Sequence, residues 1–140
     1  MSPTGSDIPP AELEVLGALW RLGKGTVREV QQDLESQGRT LAYTTVLTLL
    51  GRLEGRGCAV SRKSRQILVY RPRVTRDRVL ADRLGALVKG LGEGEAAPLI
   101  RQLVKAHRLS GKDIRDLRDL LESLDREDPS RGARDRGDPA

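Results

Sequence analysis

At 140 residues, with 37% hydrophobic but only 2% aromatic residues, the chain has the length of about one domain, and its core must be built from Leu, Val, Ile and Ala. One cysteine excludes an internal disulfide framework and clustered-cysteine zinc motifs, and one histidine leaves no imidazole pair for a metal or a catalytic couple. No apolar run approaches the ~20 residues of a membrane span, and the start MSPTGSDIPP lacks the apolar stretch of a signal peptide, so a cytoplasmic protein with a net charge of +5 is expected.

Residues 1–8 are expected to be disordered. Pro9 and Pro10 then suit the first turn of a helix, where a missing amide hydrogen costs nothing. In AELEVLGALWRL, Leu13, Leu16, Leu19 and Trp20 share one side, Val15 and Leu22 widen the stripe, and Gly23 and Gly25 stop it. Trp20 reads as a core anchor. Thr26 and Glu29 have the spacing of a capping box that opens the next helix, with Val27, Val30 and Leu34 as its apolar face and Gly38 as its end.

The chain is organised around 41–73. In its first half Val46, Leu49, Leu50 and Leu53 recur at i, i+3, i+4 and i+7, which buries one helix face. Opposite lie Thr44, Thr45, Thr48, Arg52 and Gly55, hydroxyls and a guanidinium with no acid among them. Two short helices and a turn leading into a third with a hydroxyl-rich outer face form the helix-turn-helix pattern, whose last helix enters the DNA major groove. Beyond the Gly57 helix stop, Cys58 reads as a small buried hydrophobe. Ala59 to Lys63 can pair with Ile67 to Arg71 across a tip at Ser64 to Gln66, giving a wing whose base Tyr70 packs. Arg62, Lys63 and Arg65 lie near its end, within reach of phosphates.

Charge agrees with this reading. Residues 41–76 hold eight basic side chains (Arg52, Arg56, Arg62, Lys63, Arg65, Arg71, Arg73 and Arg76) against the single acid Glu54, a local +7 that exceeds the charge of the whole chain. Such a local cationic surface is the footprint of nucleic-acid binding.

The remaining ordered chain has a different character. Leu80, Leu84, Leu87 and Leu91 make a heptad-like seam, Leu99, Ile100, Leu103 and Val104 a second stripe, and Ile114, Leu117, Leu120, Leu121 and Leu124 a third, opened by Ser110 with Asp113 at its third position. His107 falls near the end of the middle helix. One protomer can hardly cover three such faces, and a homodimer is the natural solution. Asp125 to Ala140 carries no large apolar side chain and is expected to be disordered. The fold class is mainly α with a small β-wing: a winged helix-turn-helix domain over 9–74, a helical dimerisation region over 75–124 and a tail over 125–140.

The ordered set ELEVLGALW, TVREVQQDL, TTVLTLLGRLEGRG and LVYRP resembles the BlaI/MecI/CopY (penicillinase repressor) family of bacterial winged-helix regulators, collinear from about Pro10 to Leu124; LSGKDIRDLRDLLESL is similar to the family's dimerisation helix. The resemblance implies a homodimeric repressor reading an inverted-repeat DNA operator. Base-reading falls to Tyr43, Thr44, Thr45 and Thr48, and backbone contact to Arg52, Arg56, Arg62, Lys63 and Arg65. It also implies a membrane metallopeptidase sensor as partner, with a cleavage bond corresponding to Gln102-Leu103. Two departures stand out: the family's wing often carries Gly-Arg where this chain has Arg65-Gln66, and the Asn-Phe pair of the penicillinase repressors is absent at the cleavage position. The copper-responsive branch bears a Cys-rich C-terminal motif, which Cys58 alone cannot supply.

Two rival readings are a winged-helix adaptor for protein partners and a winged-helix regulator that senses a small ligand. The local +7 disfavours the first, and the near absence of aromatic and buried polar residues over 79–124 disfavours a ligand pocket. With no Gly-rich phosphate loop and no nucleophile elbow, the sequence offers no enzymatic site and no cofactor or metal site.

Overall fold

The computed structural model describes residues 5–92 and 94–127, in two compact units that divide between residues 92 and 93. In the first, α1 (Pro10–Leu22), α2 (Val27–Ser36) and α3 (Tyr43–Gly55) pack on one another, followed by the antiparallel hairpin β1 (Ala59–Ser64) and β2 (Ile67–Pro72) and by α4 (Arg76–Lys89). The second holds α5 (Ala96–Ala106) and α6 (Gly111–Glu127). This is the mainly helical architecture with a small wing that the sequence predicts.

Local chemistry sets the helix ends. Pro10 occupies the first turn of α1, and Gly23, at φ +81, ends it in the left-handed region that favours glycine. At α2 both halves of the capping box form: Glu29 N–H donates to Thr26 Oγ1 at 3.1 Å, and Thr26 N–H donates to Glu29 Oε1 at 2.9 Å. α3 ends in a Schellman motif, with Cys58 N–H on the Leu53 carbonyl at 2.9 Å, Gly57 N–H on the Glu54 carbonyl at 3.0 Å, and Gly57 at φ +82.

The core gathers Val15, Leu16, Ala18 and Leu19 of α1, Val27, Val30 and Leu34 of α2, and Val46, Leu49, Leu50 and Leu53 of α3, closed by Cys58, Ala59 and Tyr70 at the wing base. The α1 stripe is rotated from its expected axis: Leu13 and Trp20 are half-buried, Leu22 is exposed, and Val15 is at the centre. Trp20 still packs against the core, and its indole N–H donates to the Val74 carbonyl at 2.8 Å. Leu50, fully enclosed, is a position where truncation to Ala would cost ~2–5 kcal/mol.

In the wing, Ala59 pairs with Pro72 and Ser64 with Ile67, so the turn is Arg65-Gln66 alone and Ser64 belongs to the strand. Of the two-residue hairpin turns whose twist matches the strands, type I′ needs φ > 0 at both positions; here Arg65 (φ 52) and Gln66 (φ 69) supply it without glycine. Gly25 adds a third edge to the sheet, exchanging backbone hydrogen bonds with Tyr70 at 2.9 and 2.8 Å.

Gly5–Asp7 forms a 3-10 turn on α4, Gly5 N–H donates to Asp82 Oδ2 at 3.1 Å, Arg83 Nη1 donates to the Ile8 carbonyl at 3.1 Å, and Ile8 is buried. The segment packs on Val79 of α4, which lies off the Leu80–Leu84–Leu87–Leu91 seam and is 1% exposed. The same contacts join α4 to the first unit, so the compact units meet at 92/93, whereas the sequence divides the chain after residue 74. Finally, α6 runs to Glu127, three residues past the expected end, since the first helix-opposing residue in the sequence is Pro129. Residues 1–4 and 128–140, expected to be disordered, lie outside the described residues.

Candidate nucleic-acid interface

The outer face of α3 is set by what its inner face buries. With Val46, Leu49, Leu50 and Leu53 in the core, Tyr43, Thr44, Thr45, Leu47, Thr48 and Arg52 are left exposed. The first turn of α3 carries no acidic side chain, so its positive end is not neutralised from within the helix. Tyr43 and Leu47 lie one turn apart on one row, and Thr44 and Thr48 on the next. The Thr48 hydroxyl donates to the Thr44 carbonyl at 2.9 Å. Its proton is therefore spent on the helix, and what it offers outward is a methyl and acceptor lone pairs.

The predicted cations separate into two groups. Arg52, Arg62, Lys63 and Arg65 are exposed, and among the described residues none has a carboxylate within ion-pair distance. Arg62 and Lys63 share a recess of about 510 Å³ with Lys24, Arg71 and the capping-box acid Glu29, between the wing and the α1–α2 turn. Arg56 is different: its Nε donates to Glu12 Oε1 at 2.7 Å, and Glu12 is 2% exposed. That hydrogen bond also pushes the Arg56 pKa further up. A guanidinium spent on a buried carboxylate ties α3 to α1, and its charge is not available to a phosphate.

The acid in this basic stretch is turned inward. Glu54 Oε2 accepts from Ser61 N–H at 3.0 Å and from Ser61 Oγ at 2.7 Å, fastening the end of α3 to β1. In an antiparallel ladder, opposed residues share a face; Ser61 and Tyr70 therefore look toward the helices, while Arg62 and Val69 form the other face. The wing is thus fastened to α3 through Ser61, with Arg62 on the opposite face, Lys63 on the Ser61 face nearer the turn, and Arg65 in the turn.

Sequence reasoning missed Leu47, Ile67, Arg28 and Lys24. Leu47 (38% exposed), Tyr43 (45%) and Ile67 (56%) wall an open cleft of about 620 Å³ between α3, the wing turn and the start of α2, with Arg28 on its rim. Lys24 joins the wing cations through the fold alone. Leu47 was legible, since a leucine one residue after Val46 lies off the buried stripe, among the threonines.

The dimerisation candidates are exposed in the single chain: Leu80, Leu84, Leu87 and Leu91 on and just after α4, Leu103 of α5, and Ile114, Leu117 and Leu121 of α6 are each more than two-fifths exposed. Leu99 and Leu124 are half-buried, and neither α5 nor α6 contains a buried residue. Ser110 and Asp113 cap α6 reciprocally at 3.2 and 3.0 Å, and hydrogen bonding from Ser110 lowers the Asp113 pKa. Gln102 and Leu103 are exposed, in the interior of α5. Among the described residues no His/Cys/Asp/Glu cluster is suited to a metal ion, and no helix is long and apolar enough to cross a membrane.

The chain is 26% identical over 115 residues to the penicillinase repressor of Bacillus licheniformis, covering 82% of this chain and 89% of that protein. It is 23% identical over 118 residues to the penicillinase repressor of Staphylococcus aureus, covering 84% and 93%. Among solved structures it is similar to the DNA-binding domain of the repressor BlaI, with 28% identity, a TM-score of 0.47, and coverage of 55% of this chain and 93% of that one. The sequence model of the penicillinase repressor family matches residues 8–123. The chain therefore belongs to the penicillinase repressor family, whose members are DNA-binding transcriptional repressors and not enzymes.

Proposed function

We propose that the protein is a homodimeric, sequence-specific repressor that binds an inverted-repeat operator, with α3 of each protomer in the major groove of one half-site and the wing on the adjoining backbone. The observation that carries this reading is the arrangement of charge: Arg52, Arg62, Lys63 and Arg65 lack carboxylate partners among the described residues, while Glu54 is bound to Ser61. Thr44, Thr45 and Thr48 beside Tyr43 serve as base-reading groups, with hydroxyls and methyls directed at base edges. The exposed leucines of α4, and those of α5 and α6, are the surfaces a second copy covers, and an inverted-repeat operator requires the two recognition helices to lie about one helical turn of DNA apart, roughly 34–36 Å.

Relief of repression by cleavage at Gln102-Leu103, through a membrane metallopeptidase sensor, is the accompanying mechanism that family membership suggests. With this bond inside α5, such a protease requires local opening of the helix before it can cut.

The test is a fluorescence-anisotropy titration against the protein's own upstream DNA and a shuffled duplex of equal composition. A preference of ~10³-fold or more for the native duplex, with a dimer fit, supports the reading; equal, salt-erased binding to both refutes it. Thr48→Ala loses ~1–3 kcal/mol of sequence preference, whereas Arg62→Ala weakens all duplexes alike and reduces the salt slope by about one.

A further inference from the structure

Leu47, one turn after Tyr43 on α3, belongs neither to the buried face of the helix nor to the hydroxyl-bearing base readers. Two large side chains one turn apart are left 45% and 38% exposed beside the threonine row, and Ile67 faces the same cleft at 56% exposure. Water contact of this apolar area is unfavourable by the usual weight of ~25 cal/mol per Å². The surroundings are cationic: Arg28 stands on the cleft rim, Arg52 follows on α3, and Arg65 sits in the wing turn beside Gln66, which also lines the cleft. An apolar notch within a cationic surface is complementary to a polyanion that exposes an apolar group.

Duplex DNA has one such group in its major groove, the C5-methyl of thymine. We infer that Leu47, flanked by Tyr43 and by Ile67 of the wing, is a specificity-determining residue that takes a thymine methyl of the operator into this cleft. The inference rests on the DNA-binding reading above and deepens it. Recognition is then divided between adjacent rows of one helix: Thr44 and Thr48 meet polar base edges, and Tyr43 and Leu47 select the methyl. Leu47 is not among the buried residues of α3, so its truncation leaves the Val46–Leu49–Leu50–Leu53 face in place.

Deoxyuridine differs from thymidine by that methyl alone. Duplexes are enriched from a random-sequence pool with the full chain, and each thymine of the best-enriched duplex is replaced singly by deoxyuridine. The wild type binds about fourfold more weakly at one thymine position per half-site, the factor for one buried methyl at ~0.8 kcal/mol. Leu47→Ala binds the thymine and deoxyuridine duplexes equally at that position, and Leu47→Met restores the difference. If Leu47→Ala weakens both duplexes in parallel, or if no single replacement affects the wild type, the inference is overturned while the repressor reading stands. If the pool yields no enriched sequence, the repressor reading itself fails and takes this one with it.

Discussion

Glu12, near the start of α1, and Arg56, at the end of α3, are joined at 2.7 Å although they are distant in sequence, and only the carboxylate is buried. The two halves of the pair are therefore unequal. Arg56→Ala leaves a carboxylate without its partner in the interior, whereas Glu12→Gln leaves a guanidinium that is 39% exposed and can hydrate. Removing one partner of an ion pair is costly where the group left behind is buried, so Arg56→Ala destabilises the fold and Glu12→Gln does so less. Urea denaturation of both variants checks the order. At equal folded fraction, Arg56→Ala binds random duplex as the wild type does, in contrast to Arg62→Ala.

Glu54 acts on the wing through Ser61. Glu54→Ala removes the acceptor of two hydrogen bonds and lowers stability by about 1–2 kcal/mol, and it loosens the angle between α3 and the hairpin. Glu54→Gln keeps an amide oxygen that can accept both, so it retains most of the stability and of the operator preference. Hydrogen exchange of the β1 amides, measured beside operator affinity, distinguishes the two; equal behaviour of Ala and Gln contradicts the clamp.

The wing turn carries removable strain. Left-handed backbone costs a non-glycine residue roughly 1–2 kcal/mol, partly offset by the flexibility that glycine adds to the unfolded chain. Gln66→Gly is therefore stabilising by about 0.5–1 kcal/mol, seen as a higher denaturation midpoint with an unchanged slope. An equal or lower midpoint contradicts the two-residue turn.

Cys58 is 1% exposed, and burial raises its thiol pKa. At pH 8 the folded protein reacts with an aromatic disulfide reagent only as fast as it opens, and at once in denaturant. The linkage has a definite sign. In the unfolded chain the thiol ionises near its ordinary value of about 8.5, while the folded chain keeps its proton, so this group's contribution to stability is complete below that pH and falls as pH rises. Cys58→Ala flattens that alkaline slope.

Much of this molecule is legible in its sequence because the relevant signals are local. The capping boxes at Thr26 and Ser110, the Gly57 stop, and the buried stripe of α3 each depend on residues a few positions apart. The exceptions depend on distance. Nothing near Glu12 announces a partner at the far end of α3, and nothing in MSPTGSDI shows that α4 will offer Val79 as a seat for Gly5. The place of Lys24 beside Arg62 needs Gly25 to reach Tyr70. At the interface, the threonines and wing cations were readable from type and spacing, whereas the charge available to a phosphate was not, since Arg56 and Arg52 look alike until the fold shows which one holds a carboxylate.

The chain has a single tryptophan, and it sits where the wing returns to α4: its N–H is bound to Val74, and the Arg76 guanidinium lies 5.5 Å above its ring. The folded protein thus carries its own optical gauge at the joint between the DNA-reading elements and the first leucine seam. Any strain passed through that joint shifts one emission band, readable on unlabelled wild-type protein.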